Sequence, residues 1–214
     1  MAVVAPTITT ETLDDFKTSV DMLIPFAKRV HIDISDGEFA PTFLLGEAQL
    51  YWPKEWTVDI HAMVVRPSEH LAQLIALKPS LIIFHAEIEE DRASLINQIK
   101  AAGIKAGIAL LKTTVPSTIA DVIKLADHVL IFSGDLGKIG GTASLMQLEK
   151  VRLVKAINPT AEIGWDGGVN DENAYTLAQG NVSVLNVGSS IQMADDPAEA
   201  YATLTREINK HGVI

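Results

Sequence analysis

The sequence contains no cysteine, which excludes disulfide staples and thiolate metal sites, so any protein-held metal must rest on His, Asp or Glu. Positive charge is also scarce. Against 27 Asp and Glu stand 17 Lys and Arg, a formal charge of -10 at pH 7, and no basic cluster offers a track for a polyanionic backbone. Nucleic acid is therefore not an expected partner. A small anion is compatible with this charge, because a short array of backbone N–H groups binds phosphate even inside an acidic protein. No apolar run approaches the roughly 18 residues that a membrane span needs, so no membrane association is expected. Met1 to Pro6 is apolar but carries no basic region, long apolar stretch or cleavage site, and the chain reads as a cytoplasmic enzyme or binding protein. Linkers rich in Ser, Pro or Gly are missing as well.

What is present is a regular alternation of short apolar runs and amphipathic segments over all 214 residues, with 48 % hydrophobic and 21 % charged residues, an ordinary globular profile. Strands are expected at about 2 to 8, 29 to 34, 57 to 63, 80 to 85, 105 to 111, 128 to 132, 161 to 165 and 182 to 187. Helical patterns fall at about 11 to 27, 68 to 78, 90 to 102, 117 to 126, 144 to 157, 171 to 179 and 197 to 210, with a weaker one near 46 to 52. Thr10 before Glu11, Asp171 before Glu172, and Pro67-Ser68 before Glu69 read as helix starts, and Gly103 and Gly180 as helix ends. Eight strands, each followed by a helix, predict a single α/β domain over 1–214, a closed (β/α)₈ TIM barrel whose chemistry lies at the C-terminal strand ends. An open doubly wound sheet is the alternative, but it needs no eighth strand.

The polar residues that break the apolar runs fall at these strand ends. They are His31, Asp33 and Asp36 after the second strand, His61 after the third, His85 and Glu87 after the fourth, and Asp166 after the seventh. Two residues apart on a strand, His31 and Asp33 point to one face, and a buried carboxylate needs a cation or donors to meet it. His31, Asp33, His61 and Asp166 together form a nitrogen and oxygen set suited to Zn, Fe, Mn or Co. Taken singly, each His reads equally as a satisfied core residue and each Asp as a loop cap. Asp36-Gly37 in particular reads as a turn. Four such residues at equivalent ends of three strands point to a shared site. Gly140-Gly141, Gly167-Gly168 and Gly188-Ser189 follow the sixth, seventh and eighth strands. The loops after strands seven and eight of such barrels are the usual phosphate cradle, so a phosphorylated substrate is expected, with tight turns as the plainer reading of Gly140-Gly141.

In these segments the chain resembles the ribulose-phosphate 3-epimerase family. His31-Ile-Asp-Ile-Ser-Asp-Gly37 resembles the family's H-x-D-x-M-D-G, and Asp59-Ile-His-Ala-Met-Val64 resembles D-x-H-L-M-V. Asp166-Gly-Gly-Val-Asn170 is similar to D-G-G-V-N, Val187-Gly-Ser-Ser-Ile191 to the G-S-A-I-F end, and Ala5-Pro-Thr7 to A-P-S, with Pro41 matching a family proline. The resemblance implies a divalent metal on His31, Asp33, His61 and Asp166. It also implies a substrate site including Thr7, Met63 and the three glycine pairs, and epimerisation at C3 of a ketose phosphate. That reaction, D-ribulose 5-phosphate to D-xylulose 5-phosphate, would run as a proton transfer by Asp33 and Asp166 through a metal-stabilised enediolate. His85 is a candidate for support of a ligand, and Glu87 and Lys112 are mouth candidates by position.

The chain departs from the family where the sugar would be covered. Ser35 and Phe132 replace methionines, Leu110-Leu111-Lys112 replaces L-N-P, the loop 133–142 is one residue longer, and Trp165 replaces a small aliphatic residue and is expected to narrow the mouth. A ketohexose phosphate such as allulose 6-phosphate, or a sugar-phosphate-binding barrel without epimerase activity, are therefore the alternative readings. A decarboxylase or aldolase-like relative would need a D-x-K-x-x-D pattern, and Asp33-Ile-Ser-Asp36 carries no lysine. A homo-oligomer is expected, a symmetric dimer being the commonest form.

Overall fold

A computed structural model describes residues 2–138 and 140–210, so Ile139 of the loop 133–142 and residues 1 and 211–214 lie outside it. The chain runs β1 (Val3–Ile8), α1 (Leu13–Leu23), β2 (Arg29–Ser35), β3 (Thr57–Met63), α2 (Pro67–Leu77), β4 (Leu81–His85), α3 (Arg92–Ala101), β5 (Lys105–Leu110), α4 (Ala120–Leu125), β6 (His128–Phe132), α5 (Leu148–Ile157), β7 (Glu162–Asp166), α6 (Asp171–Gln179), β8 (Val184–Val187), α7 (Ser189–Gln192) and α8 (Pro197–Ile208). The eight parallel strands close in sequence order, with β1 pairing both β2 and β8. The expected TIM barrel is what the chain forms.

Strand alternation divides the apolar residues into two cores. Leu81, Ile83, Ala109 and Leu130 fill the barrel interior, while Ile32, Ile60, Ile82, Val129 and Ile163 face the helices. The outward face of the strands is apolar because helices cover it, while the inward apolar cluster comes from β4, β5 and β6 among the described residues. Trp165 belongs to the outer layer: it is fully buried and its indole Nε1 donates to Gly167 O at 3.2 Å. It faces away from Asp166 and does not narrow the mouth, contrary to the expectation, because adjacent strand residues point to opposite faces.

The floor of the barrel is polar. Arg29 on β2 donates through Nε to Asp59 on β3 at 2.6 Å, and through its two terminal nitrogens to both oxygens of Glu162 on β7 at 2.9 and 2.7 Å. His128 on β6 meets the same Glu162 at 2.9 Å. Burial works against the Glu162 carboxylate, but Arg29 and His128 outweigh it and hold the carboxyl well below its usual range.

Three details differ from the expected pattern. No α-helix lies between β2 and β3; the segment holds a single 3₁₀ turn, Glu47–Gln49, because Gly37, Pro41, Gly46 and Pro53 leave no uninterrupted helical run. The return after β8 is instead split into the short α7 and the longer α8, which starts with Asp196 as cap and Pro197 in the first turn. Two helix caps also shift by one or two residues, and α4 and α5 begin three and four residues late, after 3₁₀ turns at Pro116–Ile119 and Leu145–Gln147. Thr12 rather than Thr10 caps α1, accepting from Asp15 N at 3.2 Å, and Asn170 rather than Asp171 caps α6 in a reciprocal box with Asn173. Pro67 occupies the first turn of α2 with no side-chain cap before it. Gly103 ends α3 with φ +78 and Gly180 caps the end of α6, both as expected, although it is the next residue, Asn181, that turns left-handed there, with φ +65.

Candidate active site

The inward positions of β2, β3 and β7 carry His31, Asp33, His61 and Asp166, and register brings them level, with Asp33 beside His61. One ligand atom from each of the four lies within 4.8 Å of the other three. Both imidazoles are fully buried, while Asp33 and Asp166 open onto a cleft at the barrel mouth.

Asp33 is the better supported carboxylate. Its Oδ2 accepts from the Thr9 hydroxyl at 2.6 Å, and its Oδ1 lies 3.0 Å from His61 Nδ1 and 3.2 Å from His31 Nε2, the last out of line for a hydrogen bond. Burial alone would raise its pKa, but the two imidazoles outweigh burial and hold the carboxyl well below the usual range. Asp166, with the imidazoles 3.8 Å away and Asp33 as a like-charged neighbour, is raised by burial and by that neighbour. The His31 imidazole is raised in turn, against its burial, by Asp33 and Asp166.

A chain of contacts runs outward from this quartet. His61 Nε2 lies 2.9 Å from His85 Nε2, and His85 Nδ1 lies 3.2 Å from Glu87 Oε2. Glu87 also accepts from Leu111 N at 3.0 Å and from the Thr114 hydroxyl, which holds it in place. Burial and the neighbouring His61 lower the His85 pKa to about 4, so that ring is neutral near pH 7. Asp33–His61–His85–Glu87 then makes three contacts, and the neutral His85 ring has one proton to serve either His61 or Glu87. One contact places two lone pairs face to face unless positive charge sits at one end. A divalent cation held by His31, Asp33, His61 and Asp166 would supply that charge, and the His₂Asp₂ donor set suits Zn, Fe, Mn or Co. The residues present fit the implied metal.

Of the remaining expected residues, Thr7, Met63, Gly140, Gly167, Gly168, Gly188 and Ser189 line the same cleft as the two carboxylates, together with the departures Ser35 and Phe132. Gly141 adjoins Gly140 in sequence but is not part of the lining. Gly167 and Gly168 have φ +102 and +72, and Cβ atoms there would sit 2.2 Å from Gly134 N and 2.1 Å from Ala143 N. Their glycine requirement comes from the loop after β6 packing on the loop after β7. Phe132 brings its ring within 6.0 Å of His61 and 5.7 Å of His85, centroid to centroid, and forms an aromatic wall over the imidazoles. Asp36 is a turn residue, accepting from Glu38 N, Phe39 N and Val65 N. Lys112 pairs with Asp135 at the rim.

Thr9 and Asn186 belong to the cleft and escaped the sequence reading. Thr9 lies just beyond β1, where a threonine reads as a strand end. Asn186 breaks the apolar run Val184–Val187, the same signal that singled out His31, but it stands before the strand end where polar residues were sought.

The chain is similar to known proteins over most of its length. The model of the ribulose-phosphate 3 epimerase family matches residues 3–192. The chain is 32 % identical over 184 residues to the chloroplastic ribulose-5-phosphate-3-epimerase of Arabidopsis thaliana, covering 80 % of this chain and 64 % of that longer protein. It is 30 % identical over 186 residues to the ribulose-phosphate 3-epimerase of Mycobacterium tuberculosis H37Rv, covering 83 % and 81 %. Among solved structures, the 3-hexulose-6-phosphate synthase of Salmonella typhimurium superposes with a TM-score of 0.71 at 15 % identity, over 98 % of this chain and 100 % of that one, which shows the shared fold alone.

Proposed function

The chain belongs to the ribulose-phosphate 3-epimerase family of isomerases, and from that premise we propose that it epimerises C3 of a pentulose phosphate, interconverting D-ribulose 5-phosphate and D-xylulose 5-phosphate. The observation that carries the reading is the meeting of two carboxylates from different strands, Asp33 of β2 and Asp166 of β7, in one cleft. Inverting a carbon next to a carbonyl needs a base on one face and an acid on the other. One carboxylate takes the C3 proton, leaving a planar enediolate, and the other, in its acid form, delivers a proton to the opposite face. Their contrasting surroundings, hydrogen bonds from Thr9 and His61 on Asp33 and imidazoles no nearer than 3.8 Å on Asp166, support that division of labour.

His31, Asp33, His61 and Asp166 would hold a divalent cation, Zn, Fe, Mn or Co, which when bound supplies Lewis-acid stabilisation of negative charge developing on the substrate oxygens. His85 holds the His61 ring through Nε2 and is itself held by Glu87, so the ring keeps its orientation toward Asp33. Met63 and Phe132 exclude water from the cleft beside the reacting carbon. The phosphate rests on the loops bearing Gly140, Gly141, Gly167, Gly168, Gly188 and Ser189. A sugar-phosphate partner follows from the same reading.

A second substrate is favoured by one departure: Ser35, smaller than the family's methionine, lines the cleft and leaves room for a longer chain such as a ketohexose phosphate. The test is exchange of the C3 hydrogen of ribulose 5-phosphate in deuterated water, with and without chelator, beside turnover of allulose 6-phosphate. Asp33→Asn and Asp166→Asn should each lower kcat by about 10²- to 10⁴-fold while folding is retained. Exchange that persists at the wild-type rate in the double variant would sink the mechanism. Binding of the phosphosugar without any exchange would favour a non-catalytic barrel.

A further inference from the structure

Asn186 stands inside β8, between Leu185 and Val187, with its side chain in the cleft. It is 2 % exposed, and neither its Oδ1 nor its Nδ2 has a hydrogen-bond partner among the described residues. A primary amide at that depth ordinarily finds partners within the fold. Asn158 does so: at 8 % exposure its Nδ2 donates to Ile123 O and Ala126 O, and its Oδ1 accepts from Ala161 N and the Thr160 hydroxyl. Asn186 has no such set. Its neighbours in register are Ala5 on β1, whose methyl offers nothing polar, and Asp166 on β7. Thr7 of β1 likewise lines the cleft, at 3 % exposure with its hydroxyl unpartnered.

We infer that Asn186 is a substrate-binding residue that hydrogen-bonds a hydroxyl of the sugar chain, and this rests on the reading of the cleft as a ketose phosphate epimerase site. Depth selects the hydroxyl. Gly188 marks the strand end where the phosphate arm lies, and two residues down a strand is about 7 Å. In an open-chain pentulose 5-phosphate, the group between the phosphate arm and the reacting C3 is the C4 hydroxyl. A hydroxyl both donates and accepts, and the carboxamide offers both functions. Being neutral, it also places no charge beside Asp166. Asn186 is thus a specificity residue that recognises the carbon chain, separately from the glycine loops that receive the phosphate.

Asn186→Leu tests this with two probes, ribitol 5-phosphate as a non-reactive polyol phosphate and inorganic phosphate, both by calorimetry on metal-loaded protein. Ribitol 5-phosphate should bind at least about tenfold more weakly and kcat/KM for ribulose 5-phosphate should fall by a similar factor, while inorganic phosphate stays within about twofold. The ligand-free variant should melt no lower than wild type, because the change removes unmatched buried polar atoms. Asn186→Ser, which keeps a donor and an acceptor, should recover part of the affinity and covers the case in which leucine does not fit. Unchanged ribitol 5-phosphate affinity and kcat/KM in both variants overturns the inference while leaving the epimerase intact. Loss of both probes together with a lower melting temperature in both variants also overturns it, in favour of a structural amide. A wild type that binds neither probe and turns over no ribulose 5-phosphate overturns the reading of the site itself.

Discussion

Glu162→Gln probes the polar floor, which ties together β2, β3, β6 and β7 at the end opposite the mouth. Three of those strands carry the quartet of His31, Asp33, His61 and Asp166 at their other end. The substitution keeps the side-chain shape and removes the charge. Glu162 makes charge-assisted bonds to Arg29 at 2.9 and 2.7 Å and to His128 at 2.9 Å. Such bonds contribute roughly 1.5 to 3 kcal/mol each in favourable burial, but the Glu162 side chain is 30 % exposed, glutamine retains one acceptor, and Arg29 keeps Asp59. A net loss of about 2 kcal/mol at pH 7 is expected, which for a domain of this size lowers the melting temperature by about 4 to 8 °C. The pH dependence has a definite sign. The folded Glu162 carboxyl is held below its ordinary value of 4.5, so its stabilisation is full above that pH and is lost as pH falls below 4.5 toward the folded value. The melting gap between wild type and variant should therefore be widest near neutrality and narrow on acidification, by at most about 1.4 kcal/mol per pH unit. Calorimetric melts of chelator-treated protein at pH 7 and at pH 3.5 measure it, with the metal contribution removed. A gap of the same size at both values, or no gap at pH 7, refutes the ion-pair account of the floor.

Other substitutions bear on the mouth. Thr9→Val removes the 2.6 Å donor to Asp33 and should lower kcat about tenfold at near-wild-type stability, measured by steady-state kinetics; an unchanged kcat would show that the hydroxyl has no part in holding the carboxylate. Gly168→Ala should destabilise by more than about 2 kcal/mol and weaken phosphate binding, because φ is +72 and the new Cβ would lie 2.1 Å from Ala143 N; a melt within 1 °C of wild type would contradict the packing of the two loops. Chelation should abolish C3 exchange and any of Mn, Fe, Co or Zn should restore it, read by deuterium incorporation.

The barrel was legible because its rules are local. Eight apolar runs with intervening amphipathic segments specify strands and helices by period alone, and each strand appears within a few residues of its expected place. The missing helix between β2 and β3 was less legible, since the weak pattern near 46 to 52 competes with Pro41, Pro53 and two glycines, and only a 3₁₀ turn survives. The caps slipped by one or two residues because Thr10 and Thr12, or Asn170 and Asp171, offer equivalent oxygens. Backbone geometry, which the sequence does not display, selects the residue that stands just outside the helix.

For the site, residue type and position at strand ends determined the candidates His31, Asp33, His61 and Asp166 from the sequence alone. Tertiary structure decided what surrounds them. Thr9 reaches Asp33 from a neighbouring strand end, His85 reaches His61 across β3 and β4, and Phe132 closes over both rings. Trp165 passed from mouth to outer core because one residue of strand alternation reverses the face. Gly167 and Gly168 gained a second reason for being glycine from a loop more than twenty residues earlier in the chain. Strand period and turn chemistry act over a few residues and can be read along the chain, whereas a contact between strand ends depends on the register of closure around the barrel, which no local pattern encodes.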